Sequence, residues 1–382
     1  MDLLIFDSIL KDECIQGILE KNDIAVMRNI IRFAENEGIT CNSIKEYVAS
    51  LLANDENILS DLARAGKKVG DDLYRLAKRD ISQIYKSLFS VELKYSPSGN
   101  DTGYCSEYTD SLKDITEAKD AGELLDKLIN HYRKLGCGSG AKYHAYKFDG
   151  NLKGIPHVDL VDFDTLIGID FQKQTLIDNT KAFIQGKAAN NVLLFGDRGT
   201  GKSSSVKALL KMFAKDGLRL IELPKQHIKD IPMLVKSLAG NPHKYILFLD
   251  DLSFEAEEPE YKSLKIAMEG QLQAHPDNVL IYATSNRRHL VKETWSDRQG
   301  DDVHRNDQLQ ETLSLSERFG ISLVFSAPNQ KEFLNIVAAM LKAQGIEIDA
   351  EIEKKAVVWQ MNYGGRNGRC AKQFVASYVS GK

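Results

Sequence analysis

One short run of the chain combines glycines, a lysine and a serine at the spacing that phosphate binding requires. Gly196, Gly201, Lys202 and Ser203 fit the pattern G-x-x-x-x-G-K-[ST] between an apolar run and a helical pattern. Glycines let the backbone turn tightly and present N–H groups to phosphate oxygens, and the positive end of the following helix dipole adds to the attraction. We therefore predict that this loop binds a nucleoside triphosphate.

Each residue of the loop has a predicted task. Lys202 reaches the β- and γ-phosphates, and Ser203 ligates the Mg²⁺ that accompanies the triphosphate. A chance glycine-rich turn is the alternative, and the apolar run 192–195 directly before the loop disfavours it. The complete predicted phosphate-binding set is Gly196, Asp197, Arg198, Gly199, Thr200, Gly201, Lys202, Ser203 and Ser204.

Two later strand patterns end in polar residues. The run 245–251, YILFLDD, ends in Asp250, which we expect to hold Mg²⁺, and Asp251, which we expect to orient the attacking water. The run 279–286, VLIYATSN, ends in Asn286, a candidate polar sensor of the phosphates. The alternatives are that the two acids cap the next loop and that Asn286 only forms a turn.

Alternating strand and helix patterns must position these residues. Strands are predicted at 192–195, 218–223, 245–249, 279–284 and 321–325, which indicates an α/β fold with a parallel five-stranded sheet and helices on both faces. Helical periodicity before residue 135, at 23–37, 43–53, 58–65 and 71–89, predicts an all-helical domain. Helices predicted at 330–343, 349–360 and 368–379 form a small lid.

These patterns divide the chain into three expected domains. Residues 1–150 form the helical N-terminal domain with a linker loop at 136–150, residues 151–327 the nucleotide-binding α/β domain, and residues 328–382 the lid. The chain has 382 residues and a net charge of −4, so the overall charge does not support a nucleic-acid partner, although a local basic face is compatible with it.

Cysteine usage and hydropathy indicate a location. The five cysteines are scattered and form no C-x-x-C pair, which is typical of reduced thiols. The first residues lack a basic segment and a small-residue cleavage site, and no stretch is long enough to span a membrane. We expect a cytoplasmic protein without membrane contact.

Taken in order, the phosphate loop, the strand ending in two aspartates, the strand ending in Asn286 and the run 315–320, LSERFG, resemble the AAA+ ATPases. The resemblance covers about residues 163–378. It implies that Arg318 is an arginine finger that acts on the nucleotide of a neighbouring subunit, and hence that the protein is a homo-oligomer. In GTPases such a finger is worth about 10³–10⁵ in rate.

The resemblance places two further elements. The run 163–176, FDTLIGIDFQKQTL, is similar to the segment that packs on the adenine ring, with Ile167 giving apolar contact and Gly168 close backbone approach. The family's second sensor is an arginine at the start of the last lid helix, where Arg369 fits better and Arg366 is the alternative.

The chain also departs from the common AAA+ pattern. Many AAA+ motors have Asp-Glu where this chain has Asp250 and Asp251, and the arm of the second acid is shorter by about 1.5 Å. This change slows hydrolysis or requires help, for which Glu255 and Glu257 are candidates. The Asp-Asp pair resembles the initiator and helicase-loader branch.

A second departure concerns a loop that threading unfoldases need. No aromatic residue or glycine occurs at 224–231, where those motors carry a pore loop, so an unfoldase is disfavoured. The nearest overall likeness is to bacterial AAA+ ATPases that have a single module and whose cellular role is not established.

Three functions are compatible with these residues. The first is an oligomeric Mg-ATPase that remodels or loads a macromolecular partner bound by the helical N-terminal domain. The second is a slow or non-hydrolysing ATP-dependent switch. The third is a DNA-associated loader, for which Arg287, Arg288 and Arg298 are candidate contacts. His304 lies among acids in a polar loop, but we assign no metal other than nucleotide-bound Mg²⁺.

Overall fold

The computed structural model of the chain describes residues 1–37, 44–91, 103–254, 258–269, 276–286 and 318–381. These residues divide into two compact units. The first unit comprises Met1–Lys147, Asn151–Val158 and Leu238–Lys244. The second comprises Phe148–Gly150, Asp159–Ser237 and Tyr245–Lys382. Within the described part of the chain, no helix has both the length and the apolar character needed to cross a membrane.

The first unit is built mainly of helices. They are α1 (Glu13–Leu19), α2 (Asp23–Glu37), α3 (Ile44–Asn54), α4 (Ile58–Arg64), α5 (Asp71–Ser87), α6 (Ser106–Thr116) and α7 (Ala121–Leu135). Their apolar faces form one core cluster whose members run in sequence from Leu3 to Ala141. The predicted all-helical character is confirmed, and α1, α6 and α7 add to the four helices located from the sequence.

Helix α7 illustrates how local sequence fixes these elements. The Asp120 carboxylate accepts hydrogen bonds from the N–H groups of Gly122 and Glu123 at 2.7 and 2.9 Å, so it caps the first turn. Gly136 ends the helix with φ of 81°, a conformation that costs glycine little. Between these ends, the buried residues recur at helical spacing and include Leu124, Leu125, Leu128, Ile129, Tyr132 and Leu135.

A buried carboxylate holds the start of the chain to α5. The Asp80 side chain is fully buried, and its Oδ2 accepts hydrogen bonds from the N–H groups of Leu4, Ile5 and Phe6 at 2.7, 2.7 and 3.4 Å. Backbone donors that would otherwise be unsatisfied therefore compensate for the burial of the carboxylate. Asp80 thus acts as a structural anchor of the helical core.

The chain forms seven described strands, two more than predicted. The additional pair, β1 (Ala145–Phe148) and β2 (Leu152–Gly154), are neighbours, and the Ile155 N–H donates to the Ala145 carbonyl at 2.9 Å. Strand β1 lies inside the segment 136–150, so the prediction that this segment is a loop is wrong at residues 145–148. These strands are too short to show a clear alternation in the sequence.

The second unit contains the predicted parallel sheet. Its strands are β3 (Val192–Gly196), β4 (Leu218–Glu222), β5 (Lys244–Leu249), β6 (Val279–Ser285) and β7 (Ile321–Phe325), side by side in the order β4-β5-β6-β3-β7. Strand β3 pairs in parallel with β6 and with β7, and β5 pairs in parallel with β6. The carboxyl ends of β3, β5 and β6 therefore share one edge of the sheet.

Helices complete the second unit. They are α8 (Asp170–Ile184), α9 (Lys202–Phe213), α10 (Ile231–Leu238) and α11 (Pro259–Glu269), followed by the lid helices α12 (Gln330–Lys342), α13 (Ala350–Tyr363) and α14 (Gly368–Ser380). The lid has its own apolar cluster around Phe333, Val337 and Phe374. The predicted α/β class and the helical lid are confirmed.

Candidate functional site: a phosphate loop at the sheet edge

The glycine-rich loop joins β3 to α9 and is shaped by close backbone packing. Gly196 has φ of 135°, and a Cβ atom there would lie 2.1 Å from the Phe325 carbonyl oxygen of β7. No side chain fits that space, so only glycine allows β3 and β7 to run side by side up to the loop. The loop therefore begins at a fixed place on the edge of the sheet.

Two more glycines in left-handed conformation carry the loop into the helix. Gly201 caps the start of α9 with φ of 100°, and Gly199 has φ of 74°. A Cβ on Gly199 would lie 2.8 Å from Asn367 Oδ1 and 3.3 Å from Arg369 Cβ, both at the start of lid helix α14. The phosphate loop and the lid are therefore in close contact at Gly199.

Lys202 is buried inside the loop that it belongs to. Its side-chain ammonium donates to the carbonyl oxygens of Gly196 and Asp197 at 2.9 and 2.6 Å and to Asn286 Oδ1 at 3.1 Å. Burial lowers the pKa of Lys202, and the nearby Asp197, Asp251 and Asp250 oppose that shift. The acceptors hold a positive charge at the centre of the loop.

Asp250 receives two hydroxyl groups at the carboxyl end of β5. Ser203 Oγ donates to Asp250 Oδ1 at 2.6 Å, and Thr284 Oγ1 donates to the same oxygen at 2.5 Å. The two predicted Mg²⁺ ligands, Ser203 and Asp250, are thus adjacent. A hydroxyl and a carboxylate are oxygen ligands of the kind that Mg²⁺ prefers.

Asp251 is held in an uncommon backbone conformation. Its φ is 54°, which is rare outside glycine although aspartate tolerates it better than most residues. The Asp251 N–H donates to Thr284 Oγ1 at 2.8 Å, and the Asp251 carboxylate accepts a short hydrogen bond from the Asn286 amide. These bonds aim the exposed carboxylate of Asp251 toward the polar end of β6.

Asp197 connects the loop to the chain that leaves β7. Its N–H donates to the Phe325 carbonyl at 2.9 Å, and its carboxylate accepts the N–H of Ala327 at 2.7 Å. Thr200 Oγ1 donates back to the Asp197 carbonyl at 2.8 Å. Arg198 is exposed and Ser204 is half-buried, so the structure places both in or beside the loop without an assigned contact to a phosphate.

The segment before α8 lies beside the loop. The side chains of Leu166 and Ile169 come within 3.7 Å of the position that a Cβ on Gly201 would take. Ile167 packs against the apolar cluster of the lid, and Gly168 has φ of 81° with open space where a Cβ would point. The two residues predicted for adenine contact therefore lie between the loop and the lid.

The three predicted arginines lie in different places. Arg369 is exposed and stands at the start of α14 next to Gly199, whereas Arg366 is exposed in the turn before it. Arg318 is half-buried and precedes β7 by three residues. Because Ile321 is paired with Val192 at the amino end of β3, Arg318 lies at the sheet edge opposite the loop.

A model of the family described as "Protein of unknown function (DUF815)" matches residues 140–382, which is more than half of the chain. The chain belongs to the DUF815 family. No curated protein matches its sequence. The loop between β3 and α9, the acids after β5 and the helical lid give this DUF815 chain the α/β P-loop architecture that the sequence predicts.

Several solved structures are similar to the DUF815 chain. The Aeropyrum pernix Orc1 protein in complex with DNA is 16% identical with a TM-score of 0.42, covering 57% of this chain and 61% of that one. A mutant of Thermotoga maritima RuvB is 17% identical with a TM-score of 0.39, covering 57% and 65%. The AAA domain of FIGL-1 in complex with ADP is 16% identical with a TM-score of 0.39, covering 59% and 75%. The match spans less than two thirds of the first two structures.

Two contributors to the DUF815 site are Thr284, which the sequence places at the phosphate edge without a specific role, and Asn367, which it does not predict there. Thr284 joins Asp250 to Asp251, and Asn367 contacts the phosphate loop while its side chain accepts the Cys370 N–H at 2.8 Å. The sequence signal for Thr284 is its place at the end of the apolar strand that precedes Asn286. The second has no sequence signal beyond an ordinary helix cap.

Some predicted residues lie outside the part of the chain that the structure describes. These are Glu255, Glu257, Arg287, Arg288 and Arg298, together with His304, for which no metal site is predicted. Their predicted contributions stay predictions.

Proposed function

We propose that this DUF815 chain binds Mg-ATP at the loop 196–204 and hydrolyses it as an oligomer, and that the nucleotide state drives remodelling or loading of a macromolecular partner. One observation carries the proposal. Hydrogen bonds, with Thr284 as the link between Asp250 and Asp251, join five predicted site residues at the edge that β3, β5 and β6 share: Lys202, Ser203, Asp250, Asp251 and Asn286.

The residues present fit the ligand. The glycines in left-handed conformation leave backbone N–H groups for phosphate oxygens, and buried Lys202 supplies a positive charge. Ser203 and Asp250 would hold Mg²⁺, which would bridge phosphate oxygens and neutralise developing charge. Ile167 and Gly168 would contact the base, since they lie between the loop and the lid.

The chain's own residues would then position water. Asp251 accepts from the Asn286 amide, so one of its carboxylate oxygens is oriented and the other is available to accept a proton from water. Asn286 also accepts from Lys202, which couples the orientation of Asp251 to the occupancy of the phosphate loop. Arg369 stands beside Gly199, where a lid residue can sense phosphate.

The place of Arg318 supports an oligomer. The five residues of β7 rise about 3.3 Å each, so Arg318 lies roughly 16 Å or more from the edge that carries the loop. An arginine side chain does not span that distance within its own subunit. A neighbouring copy would bring its Arg318 to the nucleotide, and charge neutralisation in the transition state would follow.

The test is ATP turnover measured against protein concentration, with nucleotide binding measured in parallel. We expect turnover per subunit to rise with concentration, Lys202→Ala to lose ATP binding, and Arg318→Ala to bind ATP but turn over about 10³-fold more slowly. Arg75→Ala, an exposed arginine of the helical unit, is the control and should match wild type. Turnover that is independent of concentration and of Arg318 contradicts the oligomeric site.

A slow or non-hydrolysing ATP switch is the second candidate. The observation that favours it is Asp251, whose short side chain and φ of 54° restrict its reach toward water. A switch predicts ATP binding that depends on Lys202 together with turnover no faster than that of Lys202→Ala at every concentration. In that case the nucleotide would act by ordering a partner-binding surface.

A further inference from the structure

Three side chains with metal-ligand chemistry meet in the first unit. A thiol sulfur of Cys105, a carboxylate oxygen of Glu107 and a ring nitrogen of His144 all lie within 4.8 Å of one another. Cys105 is buried, and Glu107 and His144 are half-buried. Across the ranges that the structure describes, this is the one such group of histidine, cysteine and acidic residues.

Backbone contacts fix the three ligands relative to each other. Cys105 caps the start of α6, and Glu107 lies in the first turn of the same helix. The Cys105 N–H donates to the Lys142 carbonyl at 2.9 Å, which ties the helix start to the segment that carries His144. Tyr146 holds that segment in turn, because its hydroxyl donates to the Gly140 carbonyl at 2.7 Å.

The donor chemistry selects a metal. Thiolate, imidazole and carboxylate are the ligand types that Zn²⁺ takes, in tetrahedral geometry with bonds of about 2.0–2.3 Å. Those bonds place ligand atoms about 3.4 Å apart. His144 Nε2 and Glu107 Oε2 are already 3.2 Å apart, so the cluster needs to contract only at the thiol.

We propose that Cys105, Glu107 and His144 bind one Zn²⁺ ion, with a water molecule as the fourth ligand. The ion would clamp the start of α6 to the segment that leads into β1, both within the first unit. The sequence predicts no metal except nucleotide-bound Mg²⁺. The ligands are 2 and 37 residues apart along the chain, and folding brings them together.

Cobalt binding to the metal-free full-length chain tests this site. We expect one equivalent of Co²⁺ to bind with the intense visible bands of tetrahedral cobalt and the near-ultraviolet charge-transfer band of a thiolate, and Zn²⁺ to abolish both. Cys105→Ser should remove the charge-transfer band. His144→Gln and Glu107→Gln should each weaken Zn²⁺ binding at least about 10-fold, measured by competition with a chromogenic chelator.

Matched variants separate this site from other metal-binding positions. Cys137→Ser removes another buried cysteine of the same unit and should leave the cobalt spectrum unchanged. Asp250→Asn removes the predicted Mg²⁺ ligand and should leave it unchanged as well. The proposal is overturned if Co²⁺ binds without a thiolate charge-transfer band. It is also overturned if neither His144→Gln nor Glu107→Gln alters the Zn²⁺ affinity. If circular dichroism shows that Cys105→Ser does not fold, the Zn²⁺ affinities of His144→Gln and Glu107→Gln test the site instead.

Discussion

The two units of this protein treat a buried basic side chain in opposite ways. In the second unit, Lys202 is only 6% exposed, yet three aspartates support its charge against the pKa-lowering effect of burial. In the first unit, burial lowers the pKa of His131 to about 4, and the ring is held neutral with Nδ1 2.8 Å from Ser111 Oγ. The second unit keeps a buried cation, whereas the first unit keeps a buried histidine neutral.

This difference separates the residues that we propose for ligand binding from residues that serve stability. A buried cation with acceptors on a loop is arranged to meet an anionic ligand, and its surroundings can change without loss of the core. A neutral histidine, or a carboxylate whose Oδ2 accepts backbone N–H groups, stabilises the helical core instead. Substitutions at the sheet edge should therefore alter activity, and substitutions in the helical core should alter the free energy of unfolding.

The largest expected effect is at the sheet edge. Asp251→Asn removes the carboxylate proposed to accept a proton from water, and we expect ATP turnover to fall by about 10²–10⁴-fold with ATP affinity and the unfolding midpoint unchanged. Asp216→Asn, at an exposed position in the same unit, is the control. If Asp251→Asn lowers the unfolding midpoint but hardly changes turnover, Asp251 serves stability and not catalysis, and the distinction between the two units fails.

The next effect belongs to the helical core. Asp80→Asn removes a charged acceptor from three backbone N–H groups, and we expect a loss of about 3 kcal/mol of unfolding free energy. Hydrogen exchange at the amides of Leu4 and Ile5 should accelerate locally. Asp72→Asn, an exposed acid on the same helix, should do neither. Unchanged protection of the two amides contradicts the anchoring role.

The third prediction concerns pH. Because the pKa of His131 is about 4 in the fold and 6.5 in its absence, the unfolded chain binds more protons between these values. Stability is therefore fully present above pH 6.5 and falls as the pH drops toward 4. Between pH 7.5 and 5 we expect His131 to account for a loss of about 2 kcal/mol.

The comparison for this prediction is a set of urea titrations at both pH values. His131→Gln should abolish the loss of about 2 kcal/mol of unfolding free energy between pH 7.5 and 5. His157→Gln, at an exposed position, should retain that loss. If wild type and His131→Gln lose equal stability on acidification, His131 is not held neutral by the fold.

The smallest effect tests the contact between the phosphate loop and the lid. Gly199→Ala and Gly186→Ala both place a side chain at positive φ, but only the first brings a Cβ to within 2.9 Å of Asn367. We expect Gly199→Ala to cost about 1 kcal/mol more than Gly186→Ala in thermal unfolding, and to weaken ATP binding as well. If the two variants lose equal unfolding free energy, Asn367 moves away from the added Cβ without a measurable loss of stability.

Much of the second unit could be predicted from the sequence because its signals are local. Strand β3 is a continuous apolar run, and the glycine spacing of the loop that follows is dictated by backbone geometry. All five strands of the parallel sheet were placed within a residue or two of their observed bounds. Asp250 and Asn286 could be located because parallel strands bring their carboxyl ends together.

The remainder depended on contacts between distant residues. Strands β1 and β2 are too short for periodicity to reveal them. The Cys105, Glu107 and His144 cluster brings together residues from two segments, and no spacing rule covers them. The contact of Asn367 with Gly199 depends on how the lid packs, which a single sequence does not specify.

The two hydrogen bonds of Asp197 have a mechanical consequence. One bond joins the phosphate loop to the last residue of β7, and the other holds the amide of Ala327, two residues before the cap of the first lid helix. The phosphate loop and the segment 325–329 that leads into the lid are therefore held together through one residue, Asp197. A rotation of the Asp197 side chain would break its hydrogen bond to the Ala327 N–H and release the segment that leads into the lid. The orientation of the Ala327 peptide would therefore report whether the loop and the lid segment are still joined.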